Sequence, residues 1–243
     1  MSARVLLTCA PRLRLEANAP TVLAPEVESA VAQAWNAACA ERPGLFNGQV
    51  LSAVGLKHAT LRVRPVEYRW YVAQREHASL RALLDVQPVG VSGLVVTTDG
   101  CVLLGRRAAD VTQYPGFWEA APSGSLDARS IVGATEEEGA EALDVEACVR
   151  SELYEEAGLM GDDIGVVRAE ALLFDDAERT YDIAHVIELT MPSPLLRERL
   201  GDVGRCEYSE LVVFDPLELA QRLEEPDVVP TTRALWHLFR GRS

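Results

Sequence analysis

Three glutamates, Glu152, Glu155 and Glu156, stand at i, i+3 and i+4 in the run from Asp144 to Leu159. If that run is a helix, the spacing gathers all three carboxylates on one face. Helix signals flank it: Asp144 is a good N-cap residue, and Gly158 is suited to a left-handed C-terminal turn. Val145, Val149 and Leu153 supply an apolar stripe beside the acids. The carboxylates repel one another. They also crowd the C-terminal end of the helix, where the macrodipole disfavours negative charge by roughly 0.3–1 kcal/mol each. A hard divalent cation with oxygen ligands would offset both effects. The alternative is a solvated acidic face.

The run Ser151-Glu152-Leu153-Tyr154-Glu155-Glu156-Ala157-Gly158-Leu159 resembles the end of the Nudix box. That motif reads Gly, five residues, Glu, seven residues, then Arg-Glu-U-x-Glu-Glu-x-Gly-U, with U aliphatic. The glutamates, the Gly and the aliphatic positions match. The family's Arg falls on Ser151 and its first Glu on Leu143. Arg150 lies next door, but one residue along a helix is a rotation of about 100°. The family's Gly is displaced to Gly124, in Pro122-Ser123-Gly124-Ser125, which resembles the Pro-Gly-Gly run that precedes the box. Eighteen residues separate Gly124 from Leu143 where the family has five.

The chain of 243 residues is long enough for one large domain, or for a domain with an appendage. Its net charge of −14 argues against a nucleic-acid polymer as partner, because duplex binding rests on Lys and Arg contacts to phosphate. A small phosphorylated ligand remains compatible, since metal ions and a few arginines can neutralise it locally. No apolar run reaches the length of a membrane span, and Val5-Leu6-Leu7 is too short for a signal-peptide core. Cysteines 9, 39, 101, 148 and 206 form no CxxC pair, so neither a disulfide frame nor a zinc site is expected. A reducing, cytoplasmic setting fits. The four histidines (58, 77, 185, 237) show no metal or triad spacing.

Residues 1–88 are expected to form an N-terminal α+β extension, and residues 89–243 the main domain. In the extension, Val5–Cys9 reads as a strand and Pro25–Ala40 as an amphipathic helix ended by Pro43-Gly44. Asn47-Gly48 is a hairpin signal, with Gln49–Leu56 and Ala59–Val63 as paired strands. Tyr68-Arg69-Trp70-Tyr71 suits interdomain packing, and His77–Leu84 a short helix. Beyond Pro88, Val91–Thr97 and Cys101–Leu104 form a hairpin for which Asp99-Gly100 predicts a primed turn. The loop Gln113–Trp118 holds three aromatics fit to plug the core or to stack on a ligand. Residues 127–142 are acidic, without periodicity, and are expected to be a mobile loop. Val166–Phe174, Tyr181–Leu189 and Glu210–Phe214 read as strands. Leu195–Leu200, Leu217–Leu223 and Thr231–Arg240 read as helices, giving an α/β class.

Further elements are similar to the UDP-glucose pyrophosphatase subgroup of the family: Trp35, Pro43-Gly44-Leu45-Phe46-Asn47-Gly48, Leu61-Arg62-Val63, Tyr68-Arg69, Val89-Gly90-Val91, Arg106-Arg107, Pro115-Gly116 and Pro122-Ser123-Gly124. The resemblance implies a Nudix-like αβα sandwich around a mixed sheet. It implies Mg²⁺, with Mn²⁺ as an alternative, held by Glu152, Glu155 and Glu156, which are also the catalytic candidates. It implies hydrolysis of a nucleoside diphosphate linked to another moiety, for example a UDP-sugar giving UMP and sugar 1-phosphate. Arg106, Arg107, Ser123 and Gly124 are then candidates for binding the substrate. The motif does not fix the general base; Glu207 and Glu210 are candidates. Losing the box Arg at Ser151 implies a slower enzyme, or a substitute from Arg106 or Arg107. Other nucleotide substrates, non-catalytic nucleotide binding and a homodimer stay open.

Overall fold

A computed structural model describes residues 2–16, 22–127, 131–134, 141–200 and 207–241, with only the backbone described for 131–134 and 141–143. In chain order the elements are β1 (Ala3–Leu7), β2 (Arg12–Leu15), α1 (Pro25–Glu41), β3 (Gln49–Lys57), β4 (Thr60–Glu67), α2 (Tyr68–Glu76), α3 (Ala78–Leu84) and β5 (Val89–Val96). Then come β6 (Val102–Arg107), β7 (Trp118–Ala120), β8 (Ser123–Ser125), β9 (Ile131–Ala134), β10 (Glu141–Leu143), α4 (Val145–Ala157), β11 (Ile164–Asp175) and β12 (Thr180–Leu189). The chain closes with α5 (Ser193–Leu200), β13 (Tyr208–Phe214), α6 (Pro216–Glu224) and α7 (Pro230–Arg240).

The main sheet has eight described strands, in the order β1-β11-β12-β5-β6-β13, with β7 added on β6 and β8 on β5. β12 and β5 run parallel while the other pairs are antiparallel, so the sheet is mixed. Alternation along the strands separates two cores. On one face Val91, Leu103, Leu172 and Ile183 pack with Val149 and Leu153 of α4 and Leu196 of α5. On the other, Leu94, Leu104, Leu173 and Val186 pack with Leu219 of α6 and Leu235 and Trp236 of α7. This is the expected α/β sandwich of helix, mixed sheet and helix.

The N-terminal part forms a three-stranded sheet, β2-β4-β3, over α1, α2 and α3. Leu51, Ala53, Leu61 and Val63 of that sheet join the α4 side of the main core. Backbone bonds fasten the join, Leu51 N–H to Leu126 O and Ala53 N–H to Gln87 O, both at 2.8 Å. β1, by contrast, pairs with β11, so the first strand lies across the expected division at residue 88.

Three local expectations change. Asn47-Gly48 does not turn the β3–β4 hairpin. His58 and Ala59 do, both at positive φ (48° and 61°), with Lys57 opposite Thr60. Asn47 instead braces the start of α2: its side-chain oxygen accepts from Arg69 N–H at 3.0 Å and its amide donates to Glu67 at 2.9 Å. The β5–β6 hairpin forms as expected, but its turn is not primed. Gly100 sits at φ 81° while Asp99 stays out of that region. The Asp99 carboxylate is occupied by Thr97 and Ser193, and Gly100 N–H closes a turn onto Thr97 O at 2.9 Å. The expected loop at 127–142 contains an antiparallel ladder of β9 with β10; residues 128–130 and 135–140 lie outside the described residues.

Candidate functional site

The acidic helix forms as its termini predict. The Asp144 carboxylate accepts from Ala147 N–H at 2.9 Å, and Gly158 at φ 67° returns its N–H to Tyr154 O. Val149 and Leu153 are fully buried, which presses this face of α4 onto β8 and β5. The same packing sets the three glutamates at different depths. Glu156 is buried, and its Oε2 accepts from Ser123 N–H at 3.1 Å. Its Oε1 is buried without a hydrogen-bond partner. Glu152 lies directly over Gly124: a Cβ there would fall 2.2 Å from the Glu152 carboxyl carbon, so any side chain at this position would displace the Glu152 carboxylate. Glu155 is exposed and accepts from Ser151 Oγ at 3.0 Å. Among the described residues, no three His, Cys, Asp or Glu side chains stand together as a ready ligand cluster. Helical spacing thus gives the glutamates a common face without converging them.

β6 and β7 complete the site. The Arg107 guanidinium pairs with the buried Glu119, and its Nε donates to Gln113 O at 2.8 Å. Burial pushes the Glu156 carboxyl up to about 10, and Glu119, Glu207 and Glu152 push the same way against the Ser123 N–H. Burial also raises Glu207, helped by Glu119 and Glu155 and opposed by Arg107. The buried Tyr208 hydroxyl has no hydrogen-bond partner and is held well above its ordinary range by burial and by Glu119 and Glu156.

Two cavities open beside these groups. A cleft of about 1140 Å³ is walled by Glu152, Glu155, Glu207, Arg107 and Gly124 on one side and by the Pro43–Gly48 segment on the other. A smaller cavity of about 140 Å³ shares Arg107, Ser123, Gly124 and Glu207, and reaches Glu119, Asp175, Asp182 and Tyr114. Asp182 accepts from Ser92 Oγ at 2.8 Å, and burial raises its carboxyl to about 6. Tyr114 donates to Asp175 at 2.7 Å. Of the three aromatics of its loop, Trp118 plugs the core, Tyr114 is buried but lines the smaller cavity, and Phe117 is half-buried.

Glu152, Glu156, Arg107, Ser123 and Gly124 are thus brought together, with Glu155 at the cleft wall. Arg106 is not part of this group. As a chain neighbour of Arg107 on a strand it faces the other side of the sheet, with its guanidinium carbon 6.0 Å from the centre of the Trp118 ring. Arg150 is likewise diverted, to Glu146 one turn earlier. Both base candidates are exposed; Glu207 lines both cavities and Glu210 lines neither. Glu119 and Asp182 were missed by the sequence reading. Glu119 is the one acid of the short strand β7, and Asp182 stands beside apolar residues in β12; an acid set among buried strand residues is the signal that could have found them.

No family model and no curated protein matches the sequence. Solved structures do. A MutT protein from Methanosarcina mazei Go1 is 20% identical, with 65% of this chain and 96% of that one covered and a TM-score of 0.43. An Ap4A hydrolase from C. elegans, solved as a binary complex, is 14% identical over 63% of this chain and 99% of its own, at 0.40. A Nudix hydrolase from Nitrosomonas europaea is 14% identical over 64% and 90%, at 0.39.

Proposed function

We propose that the protein is a Nudix-type pyrophosphohydrolase that cleaves the diphosphate of a nucleoside diphosphate linked to another moiety. The observation that carries this reading is the Glu156 carboxylate. It is buried behind Ser123, which lines the smaller cavity; one oxygen is bound to Ser123 N–H, and the other has no partner among the described residues. A buried carboxylate with an orphaned oxygen is costly unless a ligand completes it. Glu119, Glu152 and Glu207 are near enough to act on Glu156, and carboxylate oxygens suit a hard divalent cation such as Mg²⁺. Glu156 and Glu152 would hold it, with Glu155 at the rim. When bound, the cation withdraws charge from the phosphate oxygens, which otherwise repel a nucleophile.

The chain's own residues supply the rest. Gly124 keeps the floor below Glu152 free of a side chain. Arg107, fixed by Glu119 and Gln113 O, places positive charge at the wall shared by both cavities. Glu207, whose carboxyl is raised and lines the cleft, accepts the proton of the attacking water. Water oxygen bonds to one phosphorus, the bridging P–O bond breaks, and the bridging oxygen leaves with the second phosphate. A UDP-sugar, giving UMP and sugar 1-phosphate, is the substrate we propose. The Pro43–Gly48 segment that resembles the UDP-glucose subgroup walls the cleft opposite the acids, which supports that choice. The lack of a converged ligand cluster favours a second reading, a nucleotide-binding module without hydrolysis.

A panel of nucleoside diphosphate derivatives, assayed with and without Mg²⁺, separates the two. Phosphomonoester release should require the cation. Glu156→Gln should lower turnover by about 10²–10⁴-fold. Equal release by wild type and variant would overturn the enzymatic reading.

A further inference from the structure

Away from the acidic cleft, the turn between β11 and β12 packs against α2 and α3. The seam holds a cavity of about 250 Å³ lined by Arg75, Arg81, Arg179, Glu178, Gln74 and Tyr71. Three guanidinium groups meet one carboxylate there, in a chain whose net charge is −14. That carboxylate is fully engaged. Glu178 accepts from Arg75 Nε and Nη2, both at 2.8 Å, and from the Tyr71 hydroxyl at 3.0 Å. Gln74 is spent on Val86, donating to its carbonyl and accepting from its N–H.

The other two arginines are left short of acceptors. Arg179 reaches Asp85 through Nη2 at 3.2 Å, but its Nε is buried without a hydrogen-bond partner. The Arg81 guanidinium makes no hydrogen bond or ion pair with any described residue. Several arginines elsewhere are paired with carboxylates, as in Arg4–Asp176, Arg62–Glu16, Arg69–Glu28 and Arg107–Glu119. Like charges that converge on a cavity, one of them with a buried N–H unanswered, call for an anion with several acceptor oxygens.

We propose that this seam is a binding site for a phosphate-class dianion, separate from the acidic cleft. The planar fork of a guanidinium matches phosphate oxygens two at a time, and a dianion can pair with the exposed Arg81 and the exposed part of the Arg179 side chain without displacing Glu178 from Arg75. At about 30 Å³ per water, the cavity admits a phosphate together with a few waters. Inorganic phosphate and the phosphate of a monoester share this chemistry. The site adjoins the cleft through one side chain: the Tyr71 hydroxyl that donates to Glu178 also accepts from Gln113 Nε2 at 2.6 Å, and Gln113 lines the cleft.

Calorimetric titration of the full chain with inorganic phosphate, at matched ionic strength, tests the site. Wild type should bind. Arg81→Ala, an exposed residue without partners to lose, should keep its circular-dichroism spectrum and bind at least tenfold more weakly. Arg81→Ala with Arg179→Ala should abolish binding, and Glu152→Gln, which touches only the cleft, should leave it unchanged. A parallel titration with ribose 5-phosphate tells the sources apart: tighter binding assigns the ester, weaker binding the free ion. No heat with wild type for either probe, or one affinity shared by wild type and Arg81→Ala, would overturn the proposal.

Discussion

Arg106 and Arg107 are neighbours in the chain and opposites in the fold. On the α4 face of the main sheet Arg107 is buried against Glu119, among acids whose carboxyls are pushed up and beside polar atoms with no partner. On the α6–α7 face Arg106 lies at the surface over Trp118, and the layer beneath it is packed from Leu104, Leu219, Leu235 and Trp236. That layer is apolar around Trp118, with the buried Asp182 at its margin. The other face is left polar, with its hydrogen bonding incomplete. Unsatisfied buried groups are destabilising, and two of them, Glu156 Oε1 and the Tyr208 hydroxyl, lie beside Arg107, where binding would complete the structure.

Substitutions can break that contrast. The largest stability effect is expected at Arg107→Ala. It leaves Glu119 buried and unpaired, at a cost of about 3–5 kcal/mol by denaturant unfolding, with activity lost alongside. Next is Leu235→Ala on the α6–α7 face. The cavity should cost about 3 kcal/mol while leaving kcat of the folded fraction unchanged; a fall in kcat like that of Arg107→Ala would show the two faces are not separable. A smaller effect of the opposite sign is expected at Asp182→Asn. The Asp182 carboxyl titrates near 6 in the folded chain and near 3.8 unfolded, so its contribution is fully present below about 3.8 and is lost as pH rises through about 6. The variant should therefore gain up to about 2–3 kcal/mol over wild type at pH 7.5 and nothing at pH 3.5, read from urea midpoints at each pH. The smallest effect belongs to Arg106→Ala, under about 1 kcal/mol, since an exposed cation over an aromatic ring contributes little.

Much of this architecture could be read from the sequence where one element contains its own information. The helix of the acids was bounded correctly because Asp144 and Gly158 are local capping signals. The strands β11 and β12 followed from stretches rich in aliphatic and aromatic residues, joined by a polar turn at Asp175 and Asp176. Depth and pairing across elements could not be read the same way. Helical spacing places Glu152, Glu155 and Glu156 on one face, but burial of Val149 and Leu153 against a distant strand decides that Glu156 sinks and Glu155 does not. Strand alternation alone would have parted Arg106 from Arg107. Choosing which of them meets Glu119 needed the sheet order, and that is a long-range property. Asn47-Gly48 misled because Asn47 serves a helix start rather than a turn.

The placement of β1 has a consequence for anyone trimming the chain. It is the outermost strand, lying along β11 through Asp175 and Leu172 and tied down by the Arg4–Asp176 pair. Deleting residues 2–16 would bare the Leu172–Asp175 end of the longest strand of the sheet, extending its open margin. Unpaired backbone groups in such a row recruit other chains. A shortened variant should therefore self-associate with rising concentration, and the cure would be to keep those few residues rather than to redesign the surface.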